Sequence, residues 1–157
     1  MTQRSVAHGM FSLERTYPAS PARVFKAFAD PAHKVQWFRG PEDWVQETRQ
    51  WDFRIGGHER AANGPAGGPM HVFNCVYEDI VPNERIVYTY SMHSDETKTS
   101  VSIATIEFKP EGGGTRLVMT EQGAFLDGHD IPGQREKGTV GLLDALGAFL
   151  AKQTEDD

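Results

Sequence analysis

The middle of the chain is a series of alternating apolar and polar segments with very short connections, and this limits the fold more than any other feature. The first two segments are joined at Pro82-Asn83 and the last two at 110–114. Parallel pairing needs a crossover of a dozen or more residues, so such neighbours pair antiparallel. The sequence therefore predicts an antiparallel meander of four strands: Met70–Val81, Arg85–Met92, Val101–Lys109 and Thr115–Gln122.

The last element is a long helix with one wide apolar face. It is predicted to run from about Gly133 to Lys152, and its apolar positions recur at helical spacing: Val140, Leu142, Leu143, Leu146, Phe149 and Leu150. A sheet and a helix that are each apolar on one side bury these sides against one another. The meander is thus expected to wrap around this helix in an α+β architecture.

The segment before the meander predicts one strand and two short helices. The strand is expected at Met10–Tyr17. Ser20 can accept a backbone N–H at a helix start, and Pro21 suits the first helical position. The pair Asp30-Pro31 interrupts this helix, because the residue before proline disfavours the α region. A second short helix is predicted from Pro31 to about Trp37.

The next segment is expected to return to extended structure. Trp44–Phe53 is predicted as a strand, Gly56-Gly57 as a turn and His58–Ala62 as a shorter strand. The range 63–69, with its glycines and prolines, predicts a loop.

Composition and charge narrow the class of protein. The chain has 157 residues, 38% hydrophobic and 24% charged, which predicts one folded domain over residues 1–157 with its core at about 11–152. The net charge is −6 and there is no basic run, so nucleic acid is not an expected partner. No apolar stretch has the length of a membrane span, and no signal-peptide pattern is visible. With Cys75 as the lone cysteine, a reducing cytoplasmic location is predicted.

Several short motifs, in this order, carry a resemblance to a known family. They are Glu14-Arg15, Ser20-Pro21 followed by Val24-Phe25, Asp30-Pro31, Trp37-Phe38, the run 52–57, the run 80–88, 115–117, 120–123 and Leu143-Asp144. The sequence resembles the homologues of activators of the heat-shock-ninety ATPase. These belong to the START-like and polyketide-cyclase-like superfamily (SRPBCC, Bet v 1-like). The resemblance implies a helix-grip fold, a curved antiparallel sheet wrapped around a long C-terminal helix with two short helices after the first strand.

The resemblance implies several kinds of function. Members bind small apolar molecules, act as cyclases or sensors, or assist chaperones, and fold alone does not choose among these. One departure bears on the ligand. Family members often have Gly-Trp at the start of the C-terminal helix, where this chain has Gly138-Thr139. The missing ring is expected to enlarge or reshape the pocket beneath the helix.

Strand alternation predicts an aromatic pocket between sheet and helix. Three inward faces are expected: Phe73, Cys75 and Tyr77; Ile86, Tyr88, Tyr90 and Met92; Leu117, Met119 and Glu121. The predicted ligand-binding residues are Trp37, Phe38, Trp51, Arg54, Phe73, Tyr88, Tyr90, Glu121, Phe125, Leu143 and Leu146. For each aromatic residue, ordinary core packing is the alternative.

Glu121 and Arg54 are the candidate ionic groups of this pocket. An inward Glu121 would be a buried carboxylate, able to act as a general acid or base or to hold a polar group of a ligand. Alternatively, it lies at a strand end or pairs with an arginine. Arg54 would bind a ligand carboxylate at the pocket mouth, or it only bridges Asp52 or Glu59.

The histidines and Cys75 do not predict a metal site or a nucleophile. The six histidines are scattered, and four residues of strand separate His71 from Cys75, which is too far for one zinc ion. No base or helix N-terminus lies near Cys75 in sequence, so it is interpreted as a small buried apolar residue. No metal, cofactor or phosphate loop is expected.

Three functional hypotheses remain, in order of preference. The first is binding of a small hydrophobic or aromatic molecule, as a sensor or carrier. The second is a partner-binding module associated with a chaperone. The third is a cyclase-like or hydrolase-like enzyme that uses Glu121, Tyr88 or His71 as acid or base. A homodimer is also conceivable, because sheet edges and helix faces commonly form symmetric contacts.

Overall fold

The N-terminal part of the molecule is one strand followed by two short helices. The computed structural model describes residues 3–153, and its first elements are β1 (Val6–Tyr17), α1 (Pro21–Ala29) and α2 (Pro31–Lys34). Arg23 N donates to Ser20 Oγ at 3.2 Å at the start of α1, which confirms the predicted cap. Asp30 ends α1 and caps α2 through a 2.9 Å bond from Ala32 N. The second helix ends at Lys34 and is shorter than the predicted helix, which was expected to reach about Trp37.

The remaining elements are seven strands and one long helix. They are β2 (Val45–Gln46), β3 (Gln50–Trp51), β4 (His58–Gly64), β5 (His71–Val81), β6 (Arg85–Ser94), β7 (Thr97–Glu111), β8 (Gly114–Leu126) and α3 (Pro132–Lys152). All strand pairs are antiparallel, in the order β1-β8-β7-β6-β5-β4-β2, with β3 also on β4. The predicted meander is confirmed, and so is the α+β helix-grip fold.

The prediction of one strand over 44–53 is wrong. This stretch contains two strands of two residues each, both paired with β4 and separated by residues 47–49. Glu47 N still donates to Ala62 O, but Arg49 turns its side chain to the carbonyl oxygen of Phe38 at 2.6 Å. The register of the two strands on β4 differs by one residue, so an extra residue within 47–49 divides the ladder that the alternation predicted as continuous.

Long-range contacts hold the sheet around α3. The first strand pairs with the last over its whole length, from Val6 opposite Leu126 to Tyr17 opposite Thr115. The Tyr17 hydroxyl donates to Leu143 O in α3 at 2.7 Å. The apolar residues of α1 and α3 pack on the concave face of the sheet: Val24, Phe25, Ala27, Phe28, Leu143, Leu146 and Leu150. None of the helices in residues 3–153 is long and apolar enough to cross a membrane.

Candidate functional site: a cavity under the C-terminal helix

A cavity of about 230 Å³ lies between the concave face of the sheet and the N-terminal half of α3. Its walls are mainly aromatic and sulfur-containing: Phe38, Phe73, Tyr88, Tyr90, Met92 and Met119. From α3 it is lined by Gly138, Thr139 and Leu142. Both residues of the Gly138-Thr139 departure therefore border the space that the sequence predicted they would reshape.

The structure brings five of the predicted ligand-binding residues together at this cavity. They are Phe38, Phe73, Tyr88, Tyr90 and Glu121. Four of these come from the strands β5, β6 and β8, whose inward faces are buried as the alternation predicted. Phe38 comes from the turn after α2 and contacts Phe73 edge to face at 5.2 Å between ring centroids. These contacts close the cavity on the side of the first helices.

The other predicted residues do not line the cavity. Trp37, Trp51, Phe125, Leu143 and Leu146 pack within the domain, and the Trp37 ring donates to Ala27 O at 2.9 Å. Arg54 lies at the surface with its side chain 67% exposed, and it pairs with Asp52 at 2.7 Å. The prediction of Arg54 at the pocket mouth is therefore not supported by its position. The alternative interpretation of Arg54, a bridge to Asp52, is the one observed.

Glu121 belongs to a buried polar group that we call the Glu121 cluster: Tyr90, Ser100, Glu121, Asp130 and Arg135. The Tyr90 hydroxyl donates to Glu121 Oε1 at 2.5 Å, and Arg135 Nη1 donates to the same hydroxyl oxygen at 3.0 Å. Arg135 Nη2 also donates to Ser100 at 2.8 Å and to Asp130 at 2.6 Å. The residue Glu121 is 4% exposed, and it borders the cavity.

The pKa of Glu121 is raised above its ordinary value. Burial is the main cause, and it is opposed by the hydrogen bond from Tyr90 and the charge of Arg135. Burial likewise raises the pKa of the Tyr90 hydroxyl. Tyr90 therefore stays protonated and donates, and the carboxyl is easier to protonate than one in water. This is the arrangement of a group that can hold or exchange a proton beside a bound molecule.

A second buried polar group lies behind Phe38, and we call it the Glu59 cluster: Lys34, Arg49, Trp51, Glu59 and Tyr77. Lys34 Nζ and the Tyr77 hydroxyl both donate to Glu59 Oε1, at 2.7 and 2.5 Å. Trp51 Nε1 donates to the Tyr77 hydroxyl at 3.0 Å. Lys34 and Glu59 have side chains only 3% and 0% exposed. Of this cluster, Arg49 borders the cavity.

Sequence reasoning missed Arg49 and Arg135 as cavity residues. Arg135 lies near the start of α3, where the helical pattern alone does not separate an inward from an outward arginine. A signal for Arg49 did exist, because it alternates with Trp51 and Phe53 and so shares their side of an extended chain. His71, which the sequence offered as an acid or base, also lines the cavity, where its ring stacks on Trp44 at 5.2 Å.

Cys75 is a buried residue of β5 and is 2% exposed. Burial raises the pKa of its thiol to about 12, so the reactive thiolate is scarce at neutral pH. Among residues 3–153, no group of three or more His, Cys, Asp or Glu side chains is placed to hold a metal ion.

We expect Glu121→Gln to be more stable than the wild type at pH 8, with a difference that shrinks toward pH 4. A carboxyl whose pKa is raised on folding stabilises the fold below its unfolded pKa, about 4.3, and this contribution is lost as the pH rises through the folded pKa. Glutamine cannot ionise, but its amide oxygen can still accept the Tyr90 hydroxyl. Urea unfolding between pH 4 and 8 measures the difference.

The control for this experiment is the exposed Glu14, changed in the same way. Glu14→Gln removes a surface carboxylate that pairs with Arg116 at 2.9 Å. It should change stability little at any pH, because exposed pairs contribute little. A stability difference for Glu121→Gln that does not vary with pH would contradict the burial argument.

The fold and the cavity together define a class, a helix-grip domain with a small aromatic cavity beneath its C-terminal helix. The model of the family described as "Activator of Hsp90 ATPase homolog 1-like protein" matches residues 18–151. The chain therefore belongs to this family, which confirms the resemblance inferred from the sequence motifs.

Solved structures of similar proteins support the assignment. A protein from Rhizobium loti is 46% identical, with 92% of this chain and 99% of that chain covered and a TM-score of 0.86. A protein from Rhizobium leguminosarum is 43% identical, with 97% and 100% covered and a TM-score of 0.91. An AHSA1-like protein from Aeromonas hydrophila shares the fold at 20% identity, with 91% and 92% covered and a TM-score of 0.69. Among curated proteins, none matches this chain significantly.

Proposed function

We propose that this protein binds a small apolar molecule, preferentially an aromatic one, in the cavity between the sheet and α3. The observation that carries the proposal is the wall of Phe38, Phe73, Tyr88 and Tyr90 around a space of about 230 Å³. Ligand sites are typically concave and apolar, with a few polar groups that set orientation. The family, whose fold commonly accommodates hydrophobic ligands, supports the same proposal.

The size of the cavity favours a ligand of about one or two rings. An apolar cavity of about 150 Å³ in another protein binds benzene, and sites for drug-sized ligands start near 300 Å³. The cavity of this protein lies between these sizes. We therefore expect a ligand of the naphthalene or indole class rather than a sterol or a long acyl chain. A carrier or sensor role is consistent with such a ligand.

A thermal-shift series with graded aromatic compounds tests the proposal. Indole, naphthalene and 2-naphthol should raise the melting temperature in a saturable way, since a ligand at 100 times its Kd stabilises the folded state by about 2.7 kcal/mol. Compounds with four fused rings should have no such effect. Equal stabilisation by the small compounds and by the four-ring compounds would contradict the proposal. An absence of stabilisation by any of them would contradict it as well. The partner-binding and enzyme hypotheses stay predictions. Both would be favoured if none of the compounds raised the melting temperature.

A further inference from the structure

We propose that the ligand carries an anionic group, a carboxylate, which pairs with the guanidinium of Arg49 at the cavity wall. This inference rests on the proposed function and adds the chemistry of the ligand's polar end. It follows from the charges, the hydrogen-bond donors and the burial of the Glu59 cluster.

The Glu59 cluster contains two cations and one carboxylate. Lys34 pairs with Glu59 Oε1 at 2.7 Å, whereas Arg49 Nη1 lies 3.7 Å from Glu59 Oε2, beyond hydrogen-bond distance. All three side chains are buried, with 3%, 12% and 0% of their surface exposed. One carboxylate cannot neutralise both cations, so a net positive charge remains beside an apolar cavity. A buried net charge is unfavourable, and an incoming anion relieves this cost.

The donors of Arg49 are also incompletely used. Its Nη2 donates to Phe38 O at 2.6 Å. Within residues 3–153, neither Arg49 Nη1 nor Glu59 Oε2 has a hydrogen-bond partner, although both atoms are buried. Burial lowers the pKa of Arg49, while the charge of Glu59 acts in the opposite direction. Nη1 is buried toward Glu59, so an anion in the cavity would meet the guanidinium from its cavity side, and a guanidinium forms strong charge-assisted bonds with a carboxylate.

The other buried arginine of the cavity provides an internal comparison. Arg135 also lines the cavity, but its charge is balanced by Asp130 at 2.6 Å. Its two terminal nitrogens already donate to Tyr90, Ser100 and Asp130. Glu121 beside it would repel an anion when ionised. The carboxylate is therefore expected at Arg49, and Arg39, an exposed residue that also lines the cavity, adds positive charge nearby.

The test compares two aromatic probes of nearly the same shape that differ in charge. At pH 7.5, 2-naphthoate is anionic and 2-naphthamide is neutral. Calorimetric titration of the wild type should give at least about tenfold tighter binding of the naphthoate, the effect of one charge-assisted bond. In Arg49→Met this preference should fall to about onefold. Arg54→Met, the same change at a surface ion pair away from the cavity, should keep the preference.

The outcomes separate this inference from the proposed function. Equal binding of the two probes to the wild type would overturn the carboxylate assignment and leave the proposed function standing. Binding of neither probe would overturn both. A preference that survives in Arg49→Met would show that another group holds the anion. Arg49→Met should fold, because Lys34 still pairs with Glu59, and the wild-type comparison needs no variant at all.

Discussion

Replacing Lys34 with methionine is expected to lower the free energy of unfolding by about 3–5 kcal/mol, the largest stability effect that we foresee for a single side chain. Lys34 Nζ is bonded to Glu59 Oε1 at 2.7 Å, and the Glu59 side chain is fully buried. Without the lysine, the nearest cationic group is Arg49, 3.7 Å from the other carboxylate oxygen. The buried carboxylate would keep the Tyr77 hydroxyl but lose its hydrogen-bonded cation, because Arg49 lies beyond hydrogen-bond distance, and this is much more unfavourable than the loss of an exposed pair.

The double variant Lys34→Met/Glu59→Gln separates the loss of the pair from the cost of the unpaired charge. The amide oxygen introduced by Glu59→Gln can still accept a hydrogen bond from the Tyr77 hydroxyl. The net charge of the Glu59 cluster stays as in the wild type, because one cation and one carboxylate are both removed. We expect the double variant to recover part of the stability, because the buried carboxylate is gone while Arg49 loses its only carboxylate within 4 Å among the described residues. Urea unfolding measures both variants, with Arg54→Met as a surface control. A double variant that loses as much as Lys34→Met alone would contradict this explanation.

Thr139→Trp is expected to abolish the stabilisation by naphthalene-sized ligands. Thr139 is buried at 3% exposure and faces the cavity from α3. An indole ring at this position would occupy the space in which the ligand is proposed to bind. The Thr139 hydroxyl donates only to Arg135 O within its own helix, so its removal leaves no other side chain unpaired. Filling a cavity with apolar atoms is favourable, and the ligand-free melting temperature should therefore not fall.

Gly141→Trp is the matched control for this variant. Gly141 is exposed on the same helix, and a Cβ atom there would meet no other residue within 4 Å among residues 3–153. Gly141→Trp adds the same indole ring outside the cavity and should leave ligand binding intact. Thermal-shift titration with naphthalene compares the two variants. Undiminished binding by Thr139→Trp would place the ligand elsewhere, and a marked loss of stability in Thr139→Trp alone would mean that the cavity cannot accept the ring.

Much of the fold was predictable because its signals are local. The tight turn at Pro82-Asn83 needs a residue that tolerates a positive φ, and Asn83 has a φ of 65°. Strand alternation correctly assigned the inward residues of β5, β6 and β8, since side chains of a strand point to opposite faces in turn. Ser20, Pro21 and Asp30 similarly marked the helix boundaries through the chemistry of caps.

The candidate site was predictable only in part, because its polar groups meet across long distances in the chain. Glu121 was singled out as a polar residue on an apolar face, but its partners Tyr90 and Arg135 come from other elements. The pairing of Lys34 with Glu59 joins a short helix to a strand, and no local pattern distinguishes this lysine from an exposed one. Arg54 and Arg49 show the same limit, because they lie only five residues apart, yet Arg54 pairs with Asp52 at the surface and Arg49 lies at the cavity wall.

The sequence by itself determined most of the elements of this protein, the antiparallel meander and the aromatic face of the sheet, because these depend on residues close to one another in the chain. Only the tertiary structure decided which charged side chains the cavity contains and how each is balanced. Burial of a charge depends on partners that folding brings together, and its free energy is set by distances that no sequence pattern encodes. The cavity beneath Gly138-Thr139, with one arginine balanced by its own carboxylate and one that shares a carboxylate with a lysine, is the result of those distances.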